Sequence, residues 1–213
     1  MSERKKGVLT VISGFSGVGK GTIVKELLNK YPEEYALSIS ATTRKPRVGE
    51  ENGREYFFVT KCAFRKMIRE EALFEHAEYN GNFYGTPKAY VIEQLSKGKN
   101  VILEIDVQGA IQIKKMFPEA FLLFIIAPDA VVLKNRLTGR GTETEEQIEN
   151  RMNRAVEECD FMVHYDDVAI NDDLALCVEN VHEMVTKGKR SGLDPKELSP
   201  RLKQELITLQ KEK

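Results

Sequence analysis

Cysteine is scarce in this chain of 213 residues: Cys62, Cys159 and Cys177 are odd in number and far apart. That spacing speaks against a disulfide framework or a clustered zinc site and fits reduced core or surface thiols in a cytoplasmic protein. Net charge is almost absent as well, since 32 Lys and Arg against 33 Asp and Glu leave −1 at neutral pH. No overall basic field exists to recruit a nucleic acid polymer, so positive charge matters only where it clusters. Long apolar runs are missing too. The charged start Met1-Ser-Glu-Arg-Lys-Lys leads into Val8-Leu9-Thr10-Val11-Ile12, which Ser13 and glycines break before a signal peptide or membrane span could form. Neither an internal repeat nor a low-complexity tract is visible. The 41% hydrophobic content that is there suits one α/β core with insertions better than two full domains.

The most informative segment follows that first apolar run: Gly14-Phe15-Ser16-Gly17-Val18-Gly19-Lys20-Gly21-Thr22. Buried strand, glycine loop and helix in this order turn successive backbone N–H groups inward around phosphates. The helix adds the positive end of its dipole, and Lys20 can reach β- and γ-phosphate oxygens. The segment reads as the grip on a nucleoside triphosphate. Gly21 stands where the pattern has a Mg²⁺-binding hydroxyl, which leaves Thr22, one place late, and Ser16 as candidates.

Downstream, residues 22 to 31 set Ile23, Val24, Leu27 and Leu28 on one helical face before Pro32. Runs 101–106 and 121–126 are apolar enough for strands buried on both faces, and 168–170 is a short third one. Helical patterns at 108–116, 129–137 and 174–186 lie between and after them, the last behind the capping cluster Asn171-Asp172-Asp173. The fold class expected is α/β, a phosphate-loop-containing parallel sheet flanked by helices and doubly wound. Its core comprises residues 1–37, 97–137 and 159–187. An inserted substrate lobe, 38–96, is polar and turn-rich with a helix near 61–70. A charged lid, 138–158, carries a capping box at Thr144 and Gln147. The extension 188–213 places Leu198, Leu202, Leu206 and Leu209 at helical spacing after Ser199-Pro200. That predicts an amphipathic helix packed on the core, with self-association as the alternative.

A phosphate loop alone leaves ATPases, GTPases and small-molecule kinases open. The inserted lobe narrows the choice with Ser40-Ala-Thr-Thr-Arg44-Lys-Pro-Arg47-Val-Gly-Glu50, Gly53-Arg-Glu-Tyr56-Phe-Phe, Phe74-Glu75 and Gly81-Asn-Phe-Tyr84-Gly-Thr86. Beyond it come Glu104-Ile-Asp106-Val-Gln-Gly, Arg136-Leu-x-x-Arg140-Gly-Thr-Glu-Thr-Glu-Glu, Arg151-Met and Ile170-Asn-Asp-Asp. In this order, over residues ~7 to 187, the chain resembles the guanylate kinases. The resemblance implies transfer of the γ-phosphoryl group of ATP to GMP, giving ADP and GDP, with Mg²⁺ accompanying ATP. Partners beyond ATP and GMP are not expected, apart from a second copy if the protein is a homodimer rather than a monomer.

The residues suit those roles chemically. Arg44 and Arg47, three apart with Pro46 stiffening the segment, can bring two guanidinium forks to one dianionic phosphate, and Tyr56 and Tyr84 add phenolic donors. By resemblance these four hold the GMP phosphate. Guanine recognition needs an acceptor for N1–H and N2–H₂, which Glu75 supplies, while Ser40 and Thr86 are similar to hydroxyls that help read the base. Adenine lacks the N2 amine and presents a lone pair at N1, so an ionised Glu75 repels it. Glu104 and Asp106, two apart on one strand, point the same way. Asp106 is assigned to Mg²⁺ and, with Glu104, to the GMP-binding set; for Glu104 a GMP-side hydrogen bond, an arginine partner and plain structural pairing stay open.

Phosphoryl transfer develops charge on the moving group, and positioned cations supply most of the catalysis. Resemblance gives that work to Arg136, Arg140 and Arg151, closing over the ATP phosphates, with Arg140 also against adenine. Lys20 and Arg44 complete the expected catalytic set. Asn171 stands where the family approaches adenine, though it can equally serve as a helix cap. Arg154 reads as a solvated charge one helical step past Arg151, and His76 as a surface or interface histidine. Two other classes compete: a non-catalytic interaction module on the same fold, and a kinase for a different nucleoside monophosphate.

Overall fold

Residues 6–139 and 144–211 are described in the computed structural model. The chain runs β1 (Leu9–Gly14), α1 (Lys20–Lys30), β2 (Tyr35–Leu37), β3 (Ala41–Thr42), β4 (Phe57–Phe58), α2 (Lys61–Arg69), β5 (Leu73–Tyr79), β6 (Asn82–Pro87), α3 (Lys88–Ser96) and β7 (Asn100–Glu104). It continues as α4 (Val107–Met116), β8 (Phe121–Ile126), α5 (Ala130–Thr138), α6 (Glu145–Cys159), a 3-10 turn at Met162–His164, β9 (Asp167–Ile170), α7 (Leu174–Lys187) and α8 (Pro195–Lys211).

The main sheet has the order β2-β7-β1-β8-β9, and all its pairings are parallel. Every residue of β1 is buried and β8 is buried after its first residue, because helices cover both faces of a parallel sheet. The expected alternation of strand and helix is therefore present, with α1 burying Ile23, Val24 and Leu27 and ending before Pro32. Parallel strands open their loops at one edge, where a doubly wound sheet binds its ligand. Gly14, Glu104 and Asn171 all lie just at or beyond that edge.

A second sheet, β4-β3-β6-β5, fills the inserted segment around Ala41, Phe64 and Leu73, with Phe64 and Phe83 stacked at 5.5 Å. The sequence pattern did not show this sheet. Its strands β3 and β4 have two residues each, too short for a period of two to be read. Packing also draws the boundaries differently from composition. Val91 and Leu95 of α3 belong to the main core although they fall within 38–96. Likewise Met152 and Ala155 of α6 join Cys159 in the main core, so the second half of the charged segment is packed body rather than a detached flap. The capping box at its start forms as expected, between Thr144 and Gln147.

Helix α8 begins at Pro195, one turn before the expected start, which leaves Pro200 inside the helix. It lies on α6 and α5. Leu202 and Leu206 are buried in the main core, and Leu198 and Leu209 are partly buried against it. Ser199 Oγ donates to the Cys159 carbonyl at 2.7 Å, and Lys203 Nζ meets both Asp160 carboxylate oxygens at 2.6 Å. The leucine stripe is thus covered by the chain's own core. Leu206→Ala is expected to cost ~2–4 kcal/mol in denaturant unfolding. A chain ending after Lys187 should lose more than that yet still turn over when folded, because α8 places no side chain in the cavity described below. A folded truncation with no phosphoryl transfer would overturn this separation.

Candidate active site

The phosphate loop is shaped by backbone that only glycine takes easily: Gly17 and Gly19 have φ of 89° and 88°. Gly19 is also crowded, since a Cβ there would stand 2.8 Å from Asn171 Nδ2. Phe15 and Val18 are buried in the core, Phe15 edge-on to Phe124 at 5.1 Å, so their side chains anchor the loop and only their backbone faces a ligand. No side chain caps α1. Helices α2, α4, α5, α6 and α7 are capped by Thr60, Asp106, Asp129, Thr144 and Asp173 respectively. The first-turn N–H groups of α1 therefore lack the acceptor that these other helices have, and an anion can supply it.

Lys20 folds back onto the loop, donating to the Gly14 and Phe15 carbonyls at 2.5 and 3.0 Å. Burial lowers its pKa, against the attraction of Glu158 and then Glu104. A cavity of ≈ 600 Å³ opens beside it, lined by Gly14, Ser16, Lys20, Asp106, Arg151 and Arg154 among others. Glu104 borders this cavity and a smaller one with Ser40, Tyr56 and Thr86, so it stands where the two meet. Desolvation pushes the Glu104 carboxyl up, opposed by Lys20. Its carboxylate oxygens lie 3.6 and 3.7 Å from where a Cβ on Gly21 would be.

Asp106 differs from expectation in its placement. Strand β7 ends at Glu104, and Asp106 instead caps α4, its Oδ1 accepting from the Gly109 backbone N–H at 2.9 Å. The two acids still border the same cavity. Thr22 is exposed on α1 and is not among the residues lining the cavity, because the helix turns it outward; Ser16 does line it. Hard oxygen donors at Asp106 and Ser16 suit Mg²⁺. No group of three His, Cys, Asp or Glu that could hold a metal forms among the described residues, so such an ion would need phosphate and water for the rest of its shell.

Thr86 of β6 lines the second cavity, and behind it Glu75, buried on β5, accepts from Thr86 Oγ1 at 2.7 Å. Desolvation raises its pKa, with the Thr86 bond opposing and Asp106 adding to the rise. Gly109 of α4 packs beside it: a Cβ there would stand at ordinary contact distance, 3.6 Å, from Glu75 Cγ and tighter, 3.1 Å, against Ile105 Cδ1. Arg44 forms a fork on Glu50, Nη1 and Nη2 donating at 2.9 and 2.8 Å, and sits over the Tyr56 ring at 5.4 Å. Tyr56 and Tyr84 meet edge-on at 6.0 Å. Arg47 contributes its backbone N–H to Glu50 at 2.7 Å while its side chain is exposed. Glu50 thus organises the arginine turn, and Arg44 holds its carboxyl below the usual range. Its place in the motif was visible; its partners were not.

Around the loop, Arg151 Nη1 donates to Ser16 Oγ at 3.0 Å. Arg136 Nη1 donates to the Asn171 carbonyl at 2.8 Å, and Asn171 Nδ2 to the Val18 carbonyl at 2.7 Å. Asn171 is consequently a buried brace between α5 and the loop; the cap of α7 is Asp173, which accepts from Leu176 N–H. Arg140 lies outside the described residues. His76 is exposed on β5, and Arg154, expected in solvent, borders the ≈ 600 Å³ cavity beside Lys20.

A family model described as guanylate kinase matches residues 6–188. The guanylate kinase of Bacillus cereus (strain ZK / E33L) is 52% identical over 181 residues, covering 85% of this chain and 88% of that protein. That of Caldanaerobacter subterraneus subsp. tengcongensis is 44% identical over 207 residues, 97% of this chain and all of the relative, so its match extends into α8. Among solved structures, the crystal structure of guanylate kinase from Anaplasma phagocytophilum superposes with a TM-score of 0.64 at 27% identity, covering 89% of each chain. An uncapped glycine loop with its lysine, a buried Glu–Thr pair one cavity away and these matches agree: the chain belongs to the guanylate kinase family.

Proposed function

We infer that this chain is an ATP:GMP phosphotransferase. An oxygen of the GMP phosphate forms a new bond to the γ-phosphorus of ATP. The bond from that phosphorus to the β,γ-bridging oxygen breaks, and its electron pair stays on the oxygen that leaves with ADP; GDP is the other product. The observation that carries the acceptor's identity is the buried Glu75–Thr86 pair, one helix turn of α4 away from Asp106 and the phosphate cavity.

In this reading the uncapped α1 and Lys20 hold the ATP phosphates, and Arg136, Arg140 and Arg151 add positive charge as the transferred group develops it. Asn171 supports the loop from behind and borders the ATP side. Arg44, Arg47, Tyr56 and Tyr84 hold the GMP phosphate, with Glu50 keeping Arg44 pre-oriented until an anion competes for its fork. Ser40, Glu75 and Thr86 read guanine, and Glu104 sits between the two substrates. Mg²⁺ arriving with ATP would be held by Asp106 and Ser16 and would neutralise phosphate charge. Core, acceptor lobe and lid then divide the labour, with the lid's packed half serving as a fixed platform. We place this activity in the cytoplasm, for GMP recycling, by a monomer or homodimer. The three cysteines, free in the structure, are in keeping with that compartment. No helix among the described residues is long and apolar enough to cross a membrane.

A coupled ADP-release assay with GMP, AMP, CMP and UMP tests the reading. GMP should exceed each of the others by roughly 10³-fold or more in kcat/KM, because a site built to hydrogen-bond a base strands its buried polar groups when the wrong base enters. Comparable rates with AMP would overturn it.

A further inference from the structure

On α6, two stripes lie side by side. Met152, Ala155 and Cys159 face the main core. Arg151, Arg154 and Glu158 follow the same spacing one residue away, so they share a neighbouring face, and all three border the phosphate cavity together with Lys20. A charge on an outer helix face would be solvated. Glu158 is instead only 9% exposed, and its Oε2 is buried without a hydrogen-bond partner. Its Oε1 accepts from Arg154 Nε at 3.2 Å.

A buried, half-satisfied carboxylate beside a polyanion site is costly, and charge alone argues against it there, so its retention calls for a compensating role. Two neighbours supply one. Arg154 is exposed and long, and a bond through Nε fixes the guanidinium plane while using the nitrogen nearest the stem. Lys20 is the second, since Glu158 is the strongest opposite charge acting on it. Desolvation raises the Glu158 pKa, and Arg154 and Lys20 both pull it back down, which marks the three as one electrostatic unit. The base of this unit is anchored to the body: the carbonyl of Cys159, next in the chain, accepts from Ser199 Oγ of α8 at 2.7 Å.

We propose that Arg154 is a further catalytic residue, contacting the transferred phosphoryl group beside Arg151, and that Glu158 is the positioning residue that holds it there. The proposal rests on the ATP:GMP reading above. A merely structural α6 pair of this kind would contribute little to stability and nothing to turnover.

Steady-state kinetics on Arg154→Met, Arg154→Lys, Glu158→Gln and the Arg154→Met/Glu158→Gln double variant test it, with thermal midpoints measured alongside. Parent turnover with ATP and GMP reports on the underlying reading, so its failure is separate from failure of the pair. Arg154→Met should lower kcat by ~10- to 100-fold with either KM changed less than ~3-fold, and Arg154→Lys should recover part of the loss. Glu158→Gln should lower kcat by ~3- to 10-fold, and the double variant should be no slower than Arg154→Met alone. A kcat within ~2-fold of the parent for Arg154→Met, a change confined to KM, or a Glu158→Gln loss that persists in full in the Arg154→Met background would each overturn it. If Glu158→Gln does not fold, the two Arg154 variants decide by themselves.

Discussion

Lys20→Met is expected to lower kcat/KM for phosphoryl transfer to GMP by at least ~10³-fold while the far-UV circular dichroism stays that of the parent. Lys20 is a cation at the phosphate loop, held by the Gly14 and Phe15 carbonyls at the mouth of the cavity. A triphosphate offers it better acceptors than two carbonyls, and a loss of one charge contact at the transition state is worth several kcal/mol in a partly desolvated site. Activity within ~10-fold of the parent would contradict the role. The variant also has a signature in stability. Glu104 and Glu158 both have carboxyls pushed up by burial and pulled down by Lys20. A carboxyl with its folded pKa above its unfolded one binds its proton more tightly in the folded state, so stability falls as pH rises through that range. Without Lys20 the opposing attraction is gone. The thermal midpoint of Lys20→Met should therefore fall more steeply than the parent's as pH is raised from the ordinary carboxylate range toward neutrality.

Glu75→Gln is expected to weaken GMP use by roughly 10²-fold or more, narrow the gap to AMP, and leave the KM for ATP nearly unchanged. Gln can still accept from Thr86 Oγ1, so the local hydrogen bond survives. The charge and the second acceptor for N1–H and N2–H₂ do not. Unchanged GMP kinetics would remove Glu75 from base recognition. Burial raises the Glu75 pKa more than the Thr86 bond lowers it, so in the ligand-free protein the ionised carboxylate opposes folding above that pKa. Two consequences have opposite signs. Glu75→Gln should raise the ligand-free thermal midpoint near neutral pH while impairing turnover, the trade expected where a site keeps a costly group for function. In the parent, GMP affinity should weaken on acidification sooner than an ordinary carboxylate would allow, since the protonated acid no longer accepts two N–H donors. A pH profile of the KM for GMP measures this, with Glu75→Gln as the control that retains only the titration of the GMP phosphate itself.

Much of the site was legible because its chemistry is local in sequence. Glycines at 14, 17 and 19 with Lys20 are contiguous, and a loop that wraps phosphate with successive N–H groups has to be. The strands 101–106 and 121–126 were readable because burial on both faces leaves an unbroken apolar run; β7 nevertheless stops at Glu104, so Asp106 became a cap of α4. For Asn171 the sequence offers an adenine-side role or a helix cap, and nothing contiguous signals its burial between the loop and α5, where its Nδ2 donates to the Val18 carbonyl and its own carbonyl accepts from Arg136 Nη1. The second sheet was invisible for a different reason: two-residue strands carry no period, and their pairing joins residues 16 positions apart in β3–β4 and 42 to 44 apart in β3–β6.

Sequence by itself determined the α/β class, the glycine loop with its lysine and the helical character of the tail, and it supplied the residues proposed for GMP, since each depends on contiguous patterning or on residue types in order. Only the tertiary structure decided which neighbour each charge answers to. Arg44 belongs to Glu50, Lys20 lies between Glu104 and Glu158, and α6 divides its length between the core and the cavity. Those outcomes depend on burial and on distances across the chain, because desolvation and Coulomb attraction act through space and have no fixed spacing in the sequence.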